Sequence, residues 1–293
     1  MSEPTPETEA GLGKTREHQA VRQENATHVV GSSTAFIVCM ILLASFYIVL
    51  IVLMLLANIG YLAFSGKGLE SLLAALRSPE VRYAISLSLI SCSITAVLAL
   101  WVSVPIGYLM SRFSFKGKAY IDAVLDIPIV LPPLVVGISL LILFNVPPFN
   151  LLSAWVVYEV PAVILAQFMV ASAFAVRTMR VTFDQIPQRF EQVALTLGAS
   201  RSQAFWTVVL PQTRRGLLAA ATLAWARALG EFGPILVFAG ATSHRTEVLP
   251  TTVFLEMQAG NLPGMLAVSI IMVVLAAVVL VITRLLGLRR LNA

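Results

Sequence analysis

The chain has 293 residues, of which 58% are hydrophobic and only 12% are charged, with a net charge of +5. Soluble domains are about 45–50% apolar and about 25% charged, so the composition excludes an ordinary soluble globule and indicates an integral membrane protein. The basic residues stand in short segments between apolar runs, which is typical of membrane topology and argues against a nucleic-acid partner. We therefore expect an all-α membrane protein with membrane lipid as one of its partners.

A polar tail precedes the first apolar run. Residues 1–34 are rich in Glu, Thr and Gln, and we expect this tail to be disordered. Residues 35–57 carry no charge, and this run is too long for the apolar part of a cleaved signal peptide. We interpret it as the first transmembrane helix, with the tail on the cytoplasmic side.

Six apolar runs are long enough to cross a bilayer, which takes about 20 residues in a helix. The third run contains the stretch PIVLPPLVVG, whose prolines predict a kink or a local unwinding. The predicted spans are Ala35–Ala57, Tyr83–Met110, Ile127–Phe144, Ala154–Val176, Gly216–Ala241 and Met265–Ile282.

The distribution of Lys and Arg predicts the orientation of the spans. Of the 20 such residues, 15 fall in the tail, in the segments after spans two and four, and at the C-terminal end, all on one side of a six-span arrangement. Four fall on the other side, and one, Arg227, lies inside a span. Because cytoplasmic segments carry the excess of basic residues, both termini are expected in the cytoplasm.

The segment between spans four and five is longer than a connection requires, and its local chemistry predicts two short helices. Pro187 suits the first position of one helix, and Gly198 is placed to end it in a left-handed conformation. Ser200 and Gln203 have the spacing of a capping box that starts the second helix, which Pro211 would close.

We call residues 188–211 the elbow. Its second half contains FWTVVL (Phe205–Leu210), a run of large apolar residues. Such residues favour either docking to a partner protein or an amphipathic segment that lies on the lipid surface. The residues alone leave both interpretations open.

The elbow resembles the cytoplasmic EAA loop of the membrane subunits of bacterial ABC importers. That pattern has the form E-A-A-x-x-x-G and ends, after a spacer, in I-x-L-P. Gly198 stands at the Gly position, and Val208, Leu210 and Pro211 stand at the last positions with the same spacing. The resemblance implies a coupling loop over residues 183–211.

The sequence departs from this pattern at the acidic position. Gln192, Val193 and Ala194 stand at the Glu-Ala-Ala positions, and Glu191 comes one place earlier. The residues that the resemblance assigns to coupling with an ATPase are Glu191, Gln192, Ala194, Gly198, Ser200 and Pro211.

Residues 82–287 resemble more specifically the ABC importer permeases for molybdate, tungstate and sulfate. The resemblance rests on Pro105–Phe144, on ARALGEFGPILVFAG at Ala226–Gly240 and on RTEVLPTTVF at Arg245–Phe254. It implies a type I ABC importer fold in the bacterial inner (plasma) membrane. It also implies import of molybdate or tungstate, with sulfate ranked lower, by alternating access.

The resemblance implies three kinds of protein partner. They are cytoplasmic ATP-binding subunits, a periplasmic or extracellular solute-binding protein, and a second permease copy or a sister subunit. The chain has no complete phosphate-binding loop of its own, because GLGKT at Gly11–Thr15 has Thr8 where the full pattern needs a glycine. We therefore expect no enzymatic activity and no cofactor in this chain, with ATP hydrolysis in a partner.

Span five carries two charges, Arg227 and Glu231, which are four residues apart, lie on one helix face and can pair. Charged residues inside a span usually face the protein interior or a wet cavity. Three interpretations stay open: a structural ion pair, a gate or pathway lining, and direct binding of the oxyanion by Arg227. The neighbouring Gly230 and Gly233 favour a close approach of another helix.

The sequence shows no nucleophile–base constellation and no cluster of metal ligands, so we predict no catalytic residues and no metal site. Two alternatives to oxyanion import stay open. One is an ABC permease for another solute, such as a metal ion or thiamine. The other is a secondary transporter without an ATPase, although such a protein has no reason to present an elbow and often shows internal repeats, which this sequence lacks.

Overall fold

The computed structural model describes residues 36–57, 60–61 and 68–289, and the regular elements in that part of the chain are all helical. This confirms the predicted all-α class. The chain divides into two compact units, Met1–Tyr61 and Leu62–Ala293. The first unit contains helix α1, Phe36–Ala57, which matches the first predicted span. The tail that we expect to be disordered, residues 1–34, lies outside the described residues.

The second unit is a bundle built on two long helices. These are α3 (Pro79–Arg112) and α7 (Val160–Asp184), which pack against each other and against α11 (Arg214–Leu229). The other helices are α2 (Gly68–Arg77), α4 (Lys118–Val130), α5 (Pro133–Leu143), α6 (Ser153–Val156), α8 (Gln188–Thr196), α9 (Arg201–Ala204), α10 (Leu210–Gln212), α12 (Gly233–Phe238), α13 (Leu249–Gln258) and α14 (Leu262–Arg289), with a 3₁₀ turn at Phe149–Leu152 and a π turn at Phe205–Val209.

Small and polar side chains fill the contact between α3 and α7. Cys92 of α3 and Ala171 of α7 are fully buried there. Thr95 Oγ1 donates a hydrogen bond of 3.2 Å to Gln167 Oε1, and Gln167 Nε2 lies 3.6 Å from Cys92 Sγ. Small residues let two helix backbones approach closely, and hydrogen bonds between helices add to the attraction in apolar surroundings.

Of the six spans that the sequence predicts, four are continuous helices. Within the described residues, α1, α3, α7 and α14 are long and apolar enough to cross a membrane. The third predicted span is the bent pair of α4 and α5, which passes the same test only when the two helices are taken together. The fifth predicted span consists of the shorter helices α11 and α12.

The third span breaks at its proline pair. Leu131 and Pro132 each precede a proline, and both have extended backbone, with ψ angles of 138° and 134°. A residue before proline is disfavoured in the helical conformation, and Pro133 has no N–H for the helix ladder. The predicted kink is therefore confirmed, and it turns the chain by 110° between α4 and α5.

The fifth span, predicted as Gly216–Ala241, is interrupted within its second half. Helix α11 ends at Leu229, with Gly230 as its cap, and α12 begins only at Gly233. Glycine has a low helix propensity, and Pro234 has no N–H to continue the helix of the preceding residues. The glycine and the proline therefore explain why α11 ends and α12 begins here.

The fourth span differs from its predicted bounds at both ends. Helix α7 begins after the predicted Ala154, because Pro161 suits a first helical turn, and it continues past the predicted end at Val176. The predicted end lies just before Arg177, but Arg177 and Arg180 both form ion pairs with aspartates of α4. Paired charges allow the helix to continue where unpaired ones would favour its end.

Helices α5 and α12 pack against each other near the two interruptions, where glycine permits a close approach. A Cβ on Gly137 would lie 2.9 Å from the Cα of Pro234, and a Cβ on Gly233 would lie 3.2 Å from the backbone N of Leu134. At Gly137 a side chain would force the backbone of Pro234 to shift, and at Gly233 the contact would be tighter than ordinary van der Waals contact. The two interrupted spans therefore lie side by side.

Gly137→Ala should destabilise the detergent-solubilised protein by about 1–2 kcal/mol, because the added methyl group meets backbone atoms of Pro234 that have no room to shift. The measurement is the thermal unfolding midpoint. Gly230→Ala is the control, since a Cβ there would have its nearest neighbours at 3.7 and 3.8 Å, which is ordinary contact. An unchanged midpoint for Gly137→Ala would contradict the close approach of α5 and α12.

Candidate coupling elbow and buried ion pair

The elbow has the local structure that its sequence predicts. Gly198 follows α8 with a φ of +89°, in the left-handed region. The N–H of Ala199 donates to the carbonyl of Ala194 over 3.1 Å, which closes the helix end. The Gln203 N–H donates to Ser200 Oγ over 3.2 Å, and the Ser200 N–H donates to Gln203 Oε1 over 2.8 Å. The left-handed glycine and the capping box are both confirmed.

The two prolines of the elbow differ from the prediction. Pro187 precedes α8 as its cap instead of serving as its first residue. Pro211 does not end the second helix, because α10 continues to Gln212. Just before it, the N–H of Leu210 donates to the carbonyl of Phe205 in a π turn. This wider turn accommodates a proline ring that would clash with a carbonyl of a regular α-helix.

Large apolar side chains are exposed on the elbow. Leu197, at its tip, is 82% exposed, and Trp206 is 63% exposed. Phe190 and Val193 are about half exposed, and Gln192 of the same helix is exposed as well. Exposed apolar residues of this size mark a surface that contacts another protein or lipid.

Glu191, in contrast, is turned inward. Its carboxylate accepts a hydrogen bond from Tyr108 Oη over 2.6 Å and lies 3.6 Å from Arg112 Nε. Only 13% of the Glu191 side chain is exposed, whereas Gln192 is exposed. The structure thus separates the two residues at the acidic end of the coupling pattern: Gln192 faces outward, and Glu191 contacts α3.

Arg227 and Glu231 form the predicted pair, with Arg227 Nη2 3.1 Å from Glu231 Oε1. The Glu231 side chain is buried, whereas 37% of the Arg227 side chain is exposed. The guanidinium also lies 5.2 Å from the ring centre of Phe174 in α7, in reach of a cation–π interaction. The pair therefore connects α7 with the interruption between α11 and α12.

The ion pair leaves hydrogen-bonding capacity unused. Among the described residues, neither Glu231 Oε1 nor Arg227 Nε has a hydrogen-bond partner of acceptable geometry. The 3.1 Å approach is therefore an electrostatic contact that compensates a buried carboxylate. The exposed part of Arg227 needs water or another protein beside it, because lipid tails offer a guanidinium no partner.

Gly230 and Gly233 flank Glu231 at the interruption, and their surroundings differ. Gly233 is buried against the start of α5, as the prediction of a close helix approach requires. Gly230 is exposed, and a Cβ there would meet only backbone carbonyls of its own helix. Only one of the two glycines therefore serves the packing of another helix.

Sequence reasoning missed the ion pairs that hold α4 against α7. Arg177 Nε donates to Asp126 Oδ1 over 2.7 Å, and Arg180 pairs with Asp122. The spacing of Asp122 and Asp126 is the signal that could have found them, because residues four apart lie on one face of a helix. Arg177 and Arg180, three apart, present a matching face of α7.

The ends of α3 and α7 that lie away from the elbow are joined through the segment after α12. Arg245 pairs with Glu159, whose hydrogen-bonded carboxylate raises the pKa of Arg245 above its ordinary value. Tyr83 Oη donates to the carbonyl of Arg245 over 3.0 Å.

Across the described residues, no three His, Cys, Asp or Glu side chains come close enough together to hold a metal ion.

A comparison with protein families identifies the kind of protein that carries this elbow. The family described as "Binding-protein-dependent transport system inner membrane component" matches residues 103–292, which include the elbow and the ion pair. The chain belongs to this family. It is therefore an inner-membrane transport permease, in agreement with the resemblance noted in the sequence.

The permease is similar in sequence to two relatives whose names give different substrates. The molybdate/tungstate transport system permease protein WtpB of Thermococcus kodakarensis is 37% identical over 170 residues, which cover 58% of this chain and 66% of that protein. The sulfate transport system permease protein CysT of Escherichia coli is 31% identical over 212 residues, which cover 70% of this chain and 75% of that protein.

A solved structure shares the fold of the permease. It is a bacterial alginate ABC transporter in complex with a periplasmic protein that holds an alginate pentasaccharide. The matching chain has a TM-score of 0.60 at 18% identity, with coverage of 75% of this chain and 83% of that chain. The likeness confirms the predicted fold of a type I ABC importer subunit.

Arg227→Ala should destabilise the permease more than the double change Arg227→Ala/Glu231→Ala. The single change leaves the Glu231 carboxylate buried without its cation, which costs about 3–5 kcal/mol for a fully buried pair and less here because Arg227 is partly exposed. Thermal unfolding in detergent measures both variants. A double variant that is no more stable than the single one would contradict the compensating role of Arg227.

Proposed function

We propose that this permease is the membrane-spanning subunit of an ATP-driven importer that moves an oxyanion into the cytoplasm by alternating access. Molybdate or tungstate is the proposed substrate, ahead of sulfate, because the identity to the molybdate/tungstate permease (37%) exceeds that to the sulfate permease (31%). The observation that carries the import role is the elbow, because a transporter without a separate motor has no use for such a docking element.

The elbow docks the ATPase subunits through its exposed apolar residues. Leu197 and Trp206 supply the largest exposed side chains, and Gly198 and Ser200 fix the angle between the two helices that present them. Gln192 faces outward at the acidic position of the pattern and offers a neutral hydrogen-bonding group there. Apolar contact, rather than a carboxylate, is thus proposed to dominate the binding free energy.

A second permease copy, or a sister subunit, completes the pathway. When the chain is considered by itself, helix α4 of the bent pair exposes large apolar side chains. Tyr120 and Val130 are both 81% exposed, and Val124 is 61% exposed. A solute-binding protein delivers the oxyanion on the side away from the elbow. Both termini and the elbow are then cytoplasmic, as the distribution of Lys and Arg favours.

The ion pair of Arg227 and Glu231 is proposed to line the pathway or the interface with the second subunit. The partial exposure of Arg227 supports this, because its free N–H groups need water or protein beside them. Tight binding of a dianion by Arg227 is disfavoured, since Glu231 is 3.1 Å away and would repel it. A weak contact suits a pathway that a binding protein feeds.

The proposed substrate is tested by uptake into proteoliposomes that contain the permease, its ATPase and its binding protein. Uptake of labelled molybdate should require ATP and should be inhibited by tungstate strongly, by sulfate weakly, and by thiamine or divalent metal ions not at all. Uptake of thiamine or a metal ion without competition from oxyanions would instead identify the other-solute alternative. Uptake without ATP would identify a secondary transporter.

Leu197→Glu should reduce the amount of ATPase that co-purifies with the permease about tenfold, which corresponds to about 1.4 kcal/mol of binding free energy. The change places a charge at the most exposed apolar position of the elbow. Ser114→Glu is the matched control, because it adds the same charge at an exposed position of the neighbouring connection between α3 and α4. Equal recovery of the ATPase with both variants would contradict docking through the elbow tip.

A further inference from the structure

We infer that Glu191 is a positioning residue that fastens the elbow to α3, and that α3 transmits the movement of the elbow to the other end of the bundle. The inference rests on the proposed function, because it concerns how the motion of a docked ATPase would reach the pathway. It differs from the role that the family pattern suggests, in which an acidic residue of the elbow contacts the ATPase directly.

The contacts of Glu191 all lead into the permease. Tyr108 Oη donates a hydrogen bond of 2.6 Å to one carboxylate oxygen, and Arg112 Nε lies 3.6 Å from the other. Both partners are in the last turns of α3, and 6% of the Arg112 side chain and 13% of the Glu191 side chain are exposed. Among the described residues Arg112 Nε has no hydrogen-bond partner, so its approach is an electrostatic contact, and Glu191 is held by one hydrogen bond and one charge of its own chain.

Arg112 connects Glu191 with the junction where α7 leads into the elbow. Arg112 Nη2 donates to the carbonyl of Ile186 over 2.9 Å, and Ile186 lies between α7 and α8. One guanidinium therefore holds both the start of the elbow and its first helix against the end of α3. Hydrogen bonds in which one partner is charged are about twice as strong as neutral ones.

Tyr108 adds a second connection, through its ring. The ring centre lies 5.5 Å from that of Phe183 in α7 and 4.8 Å from that of Phe205 in the second half of the elbow. Both contacts are close to edge-to-face, a favoured arrangement of aromatic pairs. Tyr108 thus contacts α7 and both halves of the elbow, so the elbow and the end of α3 should move as one body.

Helix α3 is long enough to carry that movement through the molecule. Its 34 residues span roughly 50 Å at about 1.5 Å per residue. Near its other end, Ser88 Oγ accepts a hydrogen bond of 2.9 Å from the N–H of Leu249, and Tyr83 Oη donates to the carbonyl of Arg245. Arg245 and Leu249 belong to the segment that precedes and begins α13. Helix α3 therefore contacts the elbow at one end and this segment at the other.

The test measures how many oxyanions are transported for each ATP hydrolysed, in proteoliposomes with the ATPase and the binding protein. Glu191→Gln removes the charge and keeps the shape, and Tyr108→Phe removes the hydroxyl and keeps the ring contacts. Ser114→Ala is the control, because Ser114 is exposed in the connection between α3 and α4, outside the elbow. Each single variant should bind the ATPase like the wild type but lower the transport ratio at least about threefold, and the double variant should lower it no further.

The possible outcomes separate the inference from the proposed function. An unchanged transport ratio in both single variants, even with a lower unfolding midpoint, would show a purely structural role and overturn the inference. Loss of ATPase binding in Glu191→Gln would identify Glu191 as a contact residue and would also overturn it. If Glu191→Gln does not fold, the transport ratio of Tyr108→Phe decides between these outcomes, because that variant keeps the ring packing. Failure of the wild-type chain to bind the ATPase would refute the proposed function instead.

Discussion

The interruption of two helices inside an apolar bundle is the constraint on which the rest of this structure depends. Where a helix stops, its terminal N–H and C=O groups lose their partners within the helix, and lipid supplies none. Helices α5 and α12 meet near their interruptions, where Gly137 and Gly233 bring the two backbones together. Each interruption is therefore covered on one side by the other short helix, and α7 packs against both of these helices.

The same constraint determines where charges are placed. Arg177 and Arg180 lie within α7 because aspartates of α4 compensate them, which also holds the bent helix α4 in place. Glu231 is buried at the interruption of the fifth span and depends on Arg227, whose guanidinium reaches from α11 toward Phe174 of α7. The two ion pairs between α4 and α7 join an interrupted span to a continuous one, and Arg227 makes a similar connection through its contact with Phe174, so the charges contribute to the packing of the bundle.

The sequence predicts those features that depend on local chemistry. The left-handed Gly198 and the capping box of Ser200 follow from a few neighbouring residues, and both are present. The pairing of Arg227 with Glu231 is predicted from their spacing of four residues, and it forms although Glu231 lies just past the end of α11. The close approach of a helix at Gly233 is predicted, but neither its identity as α5 nor the inward direction of Glu191 could be, because each depends on a helix that is distant in sequence. The same holds for the extension of α7, whose charges look like a helix end until their partners in α4 are known.

Helix geometry explains why the acidic residue of the elbow and the residue at the acidic position of the family pattern do not point the same way. Consecutive residues of an α-helix point about 100° apart, so Glu191 and Gln192 face different surroundings although they are neighbours in sequence. Because Glu191 faces Tyr108 and Arg112, the outward position is left to a neutral side chain. In the proposed docking of an ATPase, a surface without a carboxylate depends on apolar area, which is non-directional. The contacts of Glu191 with α3 attach the elbow to its own bundle, and the inferred transmission of movement depends on that attachment.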